Sequence, residues 1–248
     1  MKSVILCEGK DDVWFIAYYL HKCAGWMVDE KATRWKNAKI PADHKQTVTY
    51  LLCPQNADTT AIVSVGGQDR MKKMVSSIAY LNSSYPSDPI QALVLFRDCD
   101  QRDSEALAAS MGAWFSPPLE LHNHIISTYY CEIDEIPFFV RVLPVVIPFD
   151  ETGAIETLLL KSIGERSQDG AHVVNQATSY VDTVKQNVSE FLKSDRLIVK
   201  AKYSAAIAIT NPDHSTALFQ DLMMSTEWEN CESIKKHFIY VLDAITGC

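Results

Sequence analysis

The sequence predicts an α/β fold, a mostly parallel sheet with flanking helices followed by an α-rich C-terminal extension. Three observations predict it: apolar runs alternating with helix-periodic segments over the first 150 residues, a nearly continuous apolar run from Ile90 to Phe96, and five helix-like segments after Pro148. Strands that alternate with helices at this spacing build βαβ units, so neighbouring strands run parallel. An unbroken apolar strand is the pattern of one covered on both faces.

Residues 3–7 form the first strand, and Glu8-Gly9-Lys10-Asp11-Asp12 turns it into a helix over 12–23, with Val13, Ile16, Ala17 and Leu20 recurring at helical spacing and Asp11 or Asp12 as N-cap. The mixed region 25–57 ends in the apolar run Thr47–Cys53 and is expected to be a hairpin-like insertion. Ala61–Val65 is the second clear strand; Gly66-Gly67 turns the chain into a helix over 68–82, where Met71, Met74, Val75, Ile78 and Leu81 share a face. After a turn-rich stretch, Ile90–Phe96 is the third strand, ending at Arg97-Asp98-Cys99-Asp100 before a helix over 102–112. Val140–Ile147 is a fourth strand, in which Pro144 suggests an edge or a bulge. Segments 154–163, 176–194, 198–209, 215–224 and 231–245 read as helices. The organisation expected is an α/β domain over 1–150 and an α-rich extension over 151–248 that packs on it or completes its site.

Composition narrows the function. With 47% hydrophobic and 22% charged residues, the chain has the balance of a globular protein with a real core. The longest apolar stretch, Phe138–Pro148, falls far short of the roughly 20 residues that span a bilayer. Charge arrives at Glu8, too early for a signal peptide, so a cytoplasmic protein without membrane contact is expected. Seven cysteines with no CxxC pair suggest reduced thiols rather than a zinc site. His122-Asn123-His124 lacks partners at zinc-ligand spacing. A net charge of −8 argues against a general polyanion-binding surface, but not against a nuclease whose carboxylates hold the cations that meet phosphate.

In open α/β sheets ligands bind beyond the carboxyl ends of the strands. Three strand ends here deliver Glu8, the bare turn Gly66-Gly67, and Asp98 with Asp100 to one rim. Carboxylates gathered there repel one another unless a cation lies between them. Asp11, Asp12 and Asp103 read equally well as helix caps, and Lys10 reads equally well as a solvated turn residue or a phosphate contact.

The ensemble of an apolar strand ending in Glu-Gly-Lys-Asp-Asp, a later Val-Gly-Gly turn and an apolar strand ending in Asp-x-Asp resembles the Toprim domain of topoisomerases, primases and OLD-type nucleases, over roughly residues 3–147. The resemblance implies a Rossmann-like Toprim sheet, Glu8 as general acid or base or metal ligand, and Asp98 and Asp100 as ligands of Mg²⁺, with Mn²⁺ as a substitute. Asp12 takes the place of an acidic residue common in the stand-alone and OLD-like branch. Gly9, Lys10, Gly66 and Gly67 become candidates for phosphate contact. Downstream, the segments Gly153–Leu160 and Val199–Ala206 look like the acidic and lysine segments of that branch, which implies Glu156 as a second-site ligand and Lys200 or Lys202 as electrostatic catalysts. No Gly-x-x-x-x-Gly-Lys-Ser/Thr loop occurs, so any ATPase is a separate chain.

The expected function is therefore a Mg²⁺-dependent nuclease acting on DNA or RNA, by analogy a bacterial defence effector. A homodimer is open. The competing expectation is a Toprim module that holds metal without turnover and binds nucleic acid or a protein partner. A primase-like nucleotidyl transferase fits less well, because no zinc-binding segment accompanies the site.

Overall fold

The computed structural model describes residues 1–35, 40, 46–133, 135–188, 190–214 and 219–246. Seven strands form one mixed sheet in the order β2-β3-β4-β1-β5-β7-β6. They are β1 (Lys2–Cys7), β2 (Met27–Val28), β3 (Thr47–Leu52), β4 (Thr59–Ser64), β5 (Ala92–Asp98), β6 (Ser127–Ile133) and β7 (Ile136–Ile147). The four central strands, β4, β1, β5 and β7, run parallel, while β2, β3 and β6 add antiparallel flanks. The parallel centre is where the sequence is most continuously apolar: every residue of β1 and β4 is buried.

Side chains alternate between two cores, as the pleat requires. Ile5, Cys7, Val94, Phe96, Leu143 and Val145 face one layer; Val4, Leu6, Leu93, Leu95, Val142 and Val146 face the other. The second layer is closed by α2 (Gln68–Ser84) and α3 (Ser104–Met111). The first is closed by α1 (Lys10–Ala24) together with the C-terminal helices α4 (Ile155–Arg166), α5 (Gln168–Asn187), α6 (Asp195–Thr210), α7 (Phe219–Met224) and α8 (Glu232–Thr246). The α-rich extension thus shares a core with the sheet. Phe238 of α8 is fully buried, its ring centroid 4.8 Å from Phe15 and 5.3 Å from Phe96. Phe238→Ala should lower unfolding free energy in urea by about 3–5 kcal/mol, the cost of a large core truncation.

Several boundaries differ from the sequence reading. The N-cap of α1 is Gly9; Asp12 lies at the third helical position, where its carboxylate accepts the Gly9 N–H at 2.8 Å. Strand β6 was not expected, and it makes β7 internal instead of an edge. Pro144 is tolerated because β6 pairs β7 only as far as Val142 on that side, and beyond it the Pro144 carbonyl accepts the His124 N–H at 2.9 Å. The insertion over 25–57 does contain antiparallel pairing, β2 with β3 and β3 with β4; its residues 36–39 and 41–45 lie outside the described residues, as do 215–218 of the expected helix 215–224. Asp103 does cap a helix, accepting the Ala106 N–H of α3 at 2.7 Å.

Candidate active site

At the carboxyl ends of β1, β4 and β5 a cavity of about 310 Å³ is lined by Glu8, Gly9, Asp11, Asp12, Gly66, Gly67, Asp98, Ile155, Glu156, Arg196 and Lys200. Five carboxylates face two cations there. Larger and more apolar hollows exist elsewhere, such as one of about 480 Å³ beside Trp14, Trp26 and Met224, but they gather no comparable set of reactive groups. Three helices begin at the rim: α1 after Gly9, α2 after Gly67 and α4 after Ala154. Their N-termini carry partial positive charge, which favours anions. Gly66 (φ +75°) and Gly67 (φ +123°) adopt backbone conformations that exclude most L side chains, and a Cβ on Gly67 would meet nothing within 4 Å. The turn therefore leaves bare backbone at the mouth.

The carboxylates divide into two kinds. Glu8 and Glu156 each have a cation: Arg97 Nε lies 2.5 Å from Glu8 Oε1, and Lys200 Nζ lies 2.8 Å from Glu156 Oε1. Arg97 is buried and also donates to Gln68 Oε1 at 3.4 Å, so Glu8 is held rigidly. Asp12 and Asp98 have no cationic partner among the described residues, and each accepts a backbone hydrogen bond, from Gly9 N–H and Ile155 N–H (3.0 Å) respectively. Burial pushes the Asp12 carboxyl up to about 7, with Glu156, Glu8 and Asp11 adding repulsion against the Gly9 bond. Burial and the charges of Asp12, Glu156 and Glu8 likewise hold Asp98 well above the usual carboxylate range. Burial and the charges of Asp12, Asp98 and Glu8 also raise the Cys7 thiol, beneath the site, well above its ordinary value.

Two residues expected at the site stand apart. Asp100 is exposed, at φ +52°, and its backbone pairs with Gly153 through bonds of 2.8 and 2.7 Å. That turn carries it into a neighbouring cavity with Gln101, Gly153, Ser194 and Arg196, away from Asp98. Lys202 pairs with Asp182 of α5 at 2.8 Å, so of the two lysines only Lys200 lines the site. Lys10 is exposed beside Gly9 and is not among the lining residues.

A family model described as "Protein of unknown function (DUF3226)" matches residues 2–246. The chain belongs to the DUF3226 family. A search of curated proteins finds no match. Among solved structures, this DUF3226 chain is similar to the hypothetical protein PH0156 from Pyrococcus horikoshii OT3, at 14% identity and a TM-score of 0.47, over 90% of this chain and 98% of that one. A likeness at that level carries no argument about function.

In this DUF3226 protein the site also recruits groups that the sequence reading did not single out. Arg196, at the start of α6, lines both this cavity and the one that holds Asp100. Tyr203, further along α6 and not among the residues lining the cavity, is 7% exposed, and among the described residues its hydroxyl has no hydrogen-bond partner. Burial, with Glu156 and Asp11 close by, raises that hydroxyl above its ordinary range. Arg196, Lys200 and Tyr203 follow the i, i+4, i+7 spacing of one helix face. Nothing local in 195–203 marks these residues, because only the packing of α6 against α4 and α5 aims that face at the strand ends.

Proposed function

We propose that this protein is a Mg²⁺-dependent nuclease of the Toprim type, hydrolysing phosphodiester bonds of DNA or RNA at the cavity of Glu8, Asp12, Asp98 and Glu156. One observation carries the reading: Asp12, buried, and Asp98, half-buried, are gathered at the carboxyl ends of parallel strands with no cationic partner among the described residues. A pair of buried like charges is unfavourable by itself and becomes favourable around a divalent ion.

The donor set is all hard carboxylate oxygen, which suits Mg²⁺ or Mn²⁺ over softer metals. Among the described residues no three such side chains converge closely enough to hold an ion as arranged; Arg97 and Lys200 hold Glu8 and Glu156 in ion pairs of their own. Asp12 and Asp98 are therefore the primary ligands proposed, with Glu8 and Glu156 as additions. A bound ion would polarise a phosphoryl oxygen and make water acidic enough to attack. The chain's own groups would do the rest. Arg196 and Lys200 would draw the phosphate to the mouth, the bare Gly9, Gly66 and Gly67 backbone would let it approach, and Arg97 would hold Glu8 in the orientation an acid or base needs. Asp100 departs from the paired-aspartate pattern that the resemblance implies, and Asp12 takes its place beside Asp98.

A cytoplasmic setting, a defence role, a separate ATPase partner and a homodimer belong to the same proposal. The described helices include none long and apolar enough to cross a membrane. The ion pairs at Glu8 and Glu156 favour one second reading, a module that holds metal and binds nucleic acid or a partner without turnover. Plasmid, single-stranded DNA and RNA incubated with Mg²⁺ or Mn²⁺ separate the two. Cleavage lost in Glu8→Ala and Asp98→Ala supports the nuclease; metal uptake with no cleavage of any substrate supports the binding module.

A further inference from the structure

We propose that the outer face of α2 is a track for single-stranded nucleic acid, leading from the Gly66-Gly67 turn to an aromatic cleft beside Trp114 that takes one unpaired base. The inference rests on the nuclease reading above and names its substrate as an unpaired strand.

Charge singles out this face. The chain carries a net charge of −8 and the cavity itself is rich in carboxylates, so a polyanion needs a local basic stripe to approach it. The first two turns of α2 supply one: Arg70, Lys72 and Lys73 stand against Asp69 alone. Lys72 and Lys73 are exposed and pair with no carboxylate among the described residues. Gln68, Lys72, Ser76 and Ala79 recur at helical spacing, so they form one stripe down the helix. Its upper end is tied to the candidate site, because Gln68 Oε1 accepts from Arg97 at 3.4 Å. Tyr80, one turn beyond Ser76, is 70% exposed.

The stripe ends in a cleft of about 400 Å³ that Ser76 and Ala79 share with Trp114, Phe115, Tyr129 and Tyr130. The aromatic wall is fixed: the Phe115 and Tyr129 ring centroids lie 4.9 Å apart, and the Tyr129 hydroxyl donates to the Ser116 carbonyl. Glu132 is the charged residue of the lining, and it accepts the Tyr130 O–H at 3.0 Å. A carboxylate there repels phosphate but accepts the exocyclic amine of a base, so the cleft suits a base and not the backbone. Ser76 and Ala79 lie nine and twelve residues along α2 from Gly67, about 13 and 18 Å at 1.5 Å per residue. A strand whose scissile phosphate is at the rim therefore reaches the cleft a few nucleotides away, with Lys72 and Lys73 beside the phosphates between. Bases of a duplex are paired inward and cannot enter, whereas an unpaired base stacks on aromatic side chains.

The test is fluorescence anisotropy of a short labelled single strand and of its duplex without divalent cations, so that binding is read apart from cleavage. Wild type should hold the single strand more tightly. Replacing Lys72 and Lys73 together by Gln should lower the slope of log K against log salt by about 1.4, the loss of two phosphate contacts on a single strand. Ala79→Leu, which fills the cleft with neither charge nor an aromatic face, should weaken binding about 5- to 100-fold, the loss of one stacked base. Lys235→Gln, on α8, should match wild type. Melts verify that the variants fold. Single-strand binding that either the lysine pair or Ala79→Leu leaves intact, or a duplex bound as tightly, overturns the track alone. The expected pattern of binding with no cleavage in Mg²⁺ leaves the track and overturns the nuclease reading; no binding of either nucleic acid overturns the track whatever the cleavage assay shows. A second measurement needs no variant: a single strand carrying 5-iodouracil, irradiated in the complex, should crosslink within residues 112–132, and crosslinks confined to other segments contradict the proposal.

Discussion

Asp12→Asn should make the metal-free protein more stable at pH 8, by on the order of 2–4 kcal/mol or roughly 5–10 °C in Tm, and leave it unchanged near pH 4. The Asp12 carboxyl sits at about 7 in the folded protein, against an ordinary value near 3.9 in an unfolded chain. Below pH 4 both states hold the proton and no difference arises. Between about pH 4 and 7 the folded state binds more protons than the unfolded one, so stability falls as pH rises through that window. Asp98, shifted in the same direction, steepens the fall. Asparagine keeps an oxygen to accept the Gly9 N–H but carries no charge, so the loss at high pH disappears. Thermal melts of wild type and variant from pH 4 to 8 check this; curves that stay parallel across the window would show that Asp12 is not a charge stressed by burial. A stabilising substitution inside a functional cluster is what a site strained for its ligand produces.

The second large effect separates two neighbours in sequence. Asp98→Ala should lower phosphodiester cleavage by at least on the order of 10²-fold, since even loss of a residue that merely supports a ligand costs 10 to 100-fold. Asp100→Ala should cost less than tenfold, because Asp100 lies in the adjoining cavity and its contribution to the turn is its backbone pairing with Gly153. Initial rates at saturating Mg²⁺ on one substrate decide between this and a paired-aspartate site, in which both substitutions would be equally damaging.

These two aspartates also mark how far the sequence could be read. The parallel centre of the sheet was legible because a strand covered on both faces must be apolar throughout, as Ala92–Phe96 is. From there the strand ends followed, and with them Glu8, Asp98 and the Gly66-Gly67 turn. The position of Asp100 did not follow, since it depends on a left-handed residue and a bridge to Gly153, more than fifty positions away. Strand β6 was illegible for a different reason: Ser127–Ile133 mixes polar and apolar residues without a clean alternation, and its hairpin turns at Glu135 with φ +65°, without the glycine that usually announces such a turn. The exposed Tyr130–Phe139 pair across β6 and β7 reads in sequence as scattered aromatics. The choice of Lys200 over Lys202, and the recruitment of Arg196, came from the orientation of α6. Both lysines look alike on a helix read alone.

The most direct test of the central claim is plasmid cleavage measured over a Mg²⁺ series with wild type and Asp98→Asn, alongside melts that verify the variant's fold. The account predicts cleavage that rises and saturates with Mg²⁺ in the wild type, stops on chelation, and is absent from a folded Asp98→Asn. Cleavage that survives chelation, or that Asp98→Asn retains in full, would contradict it.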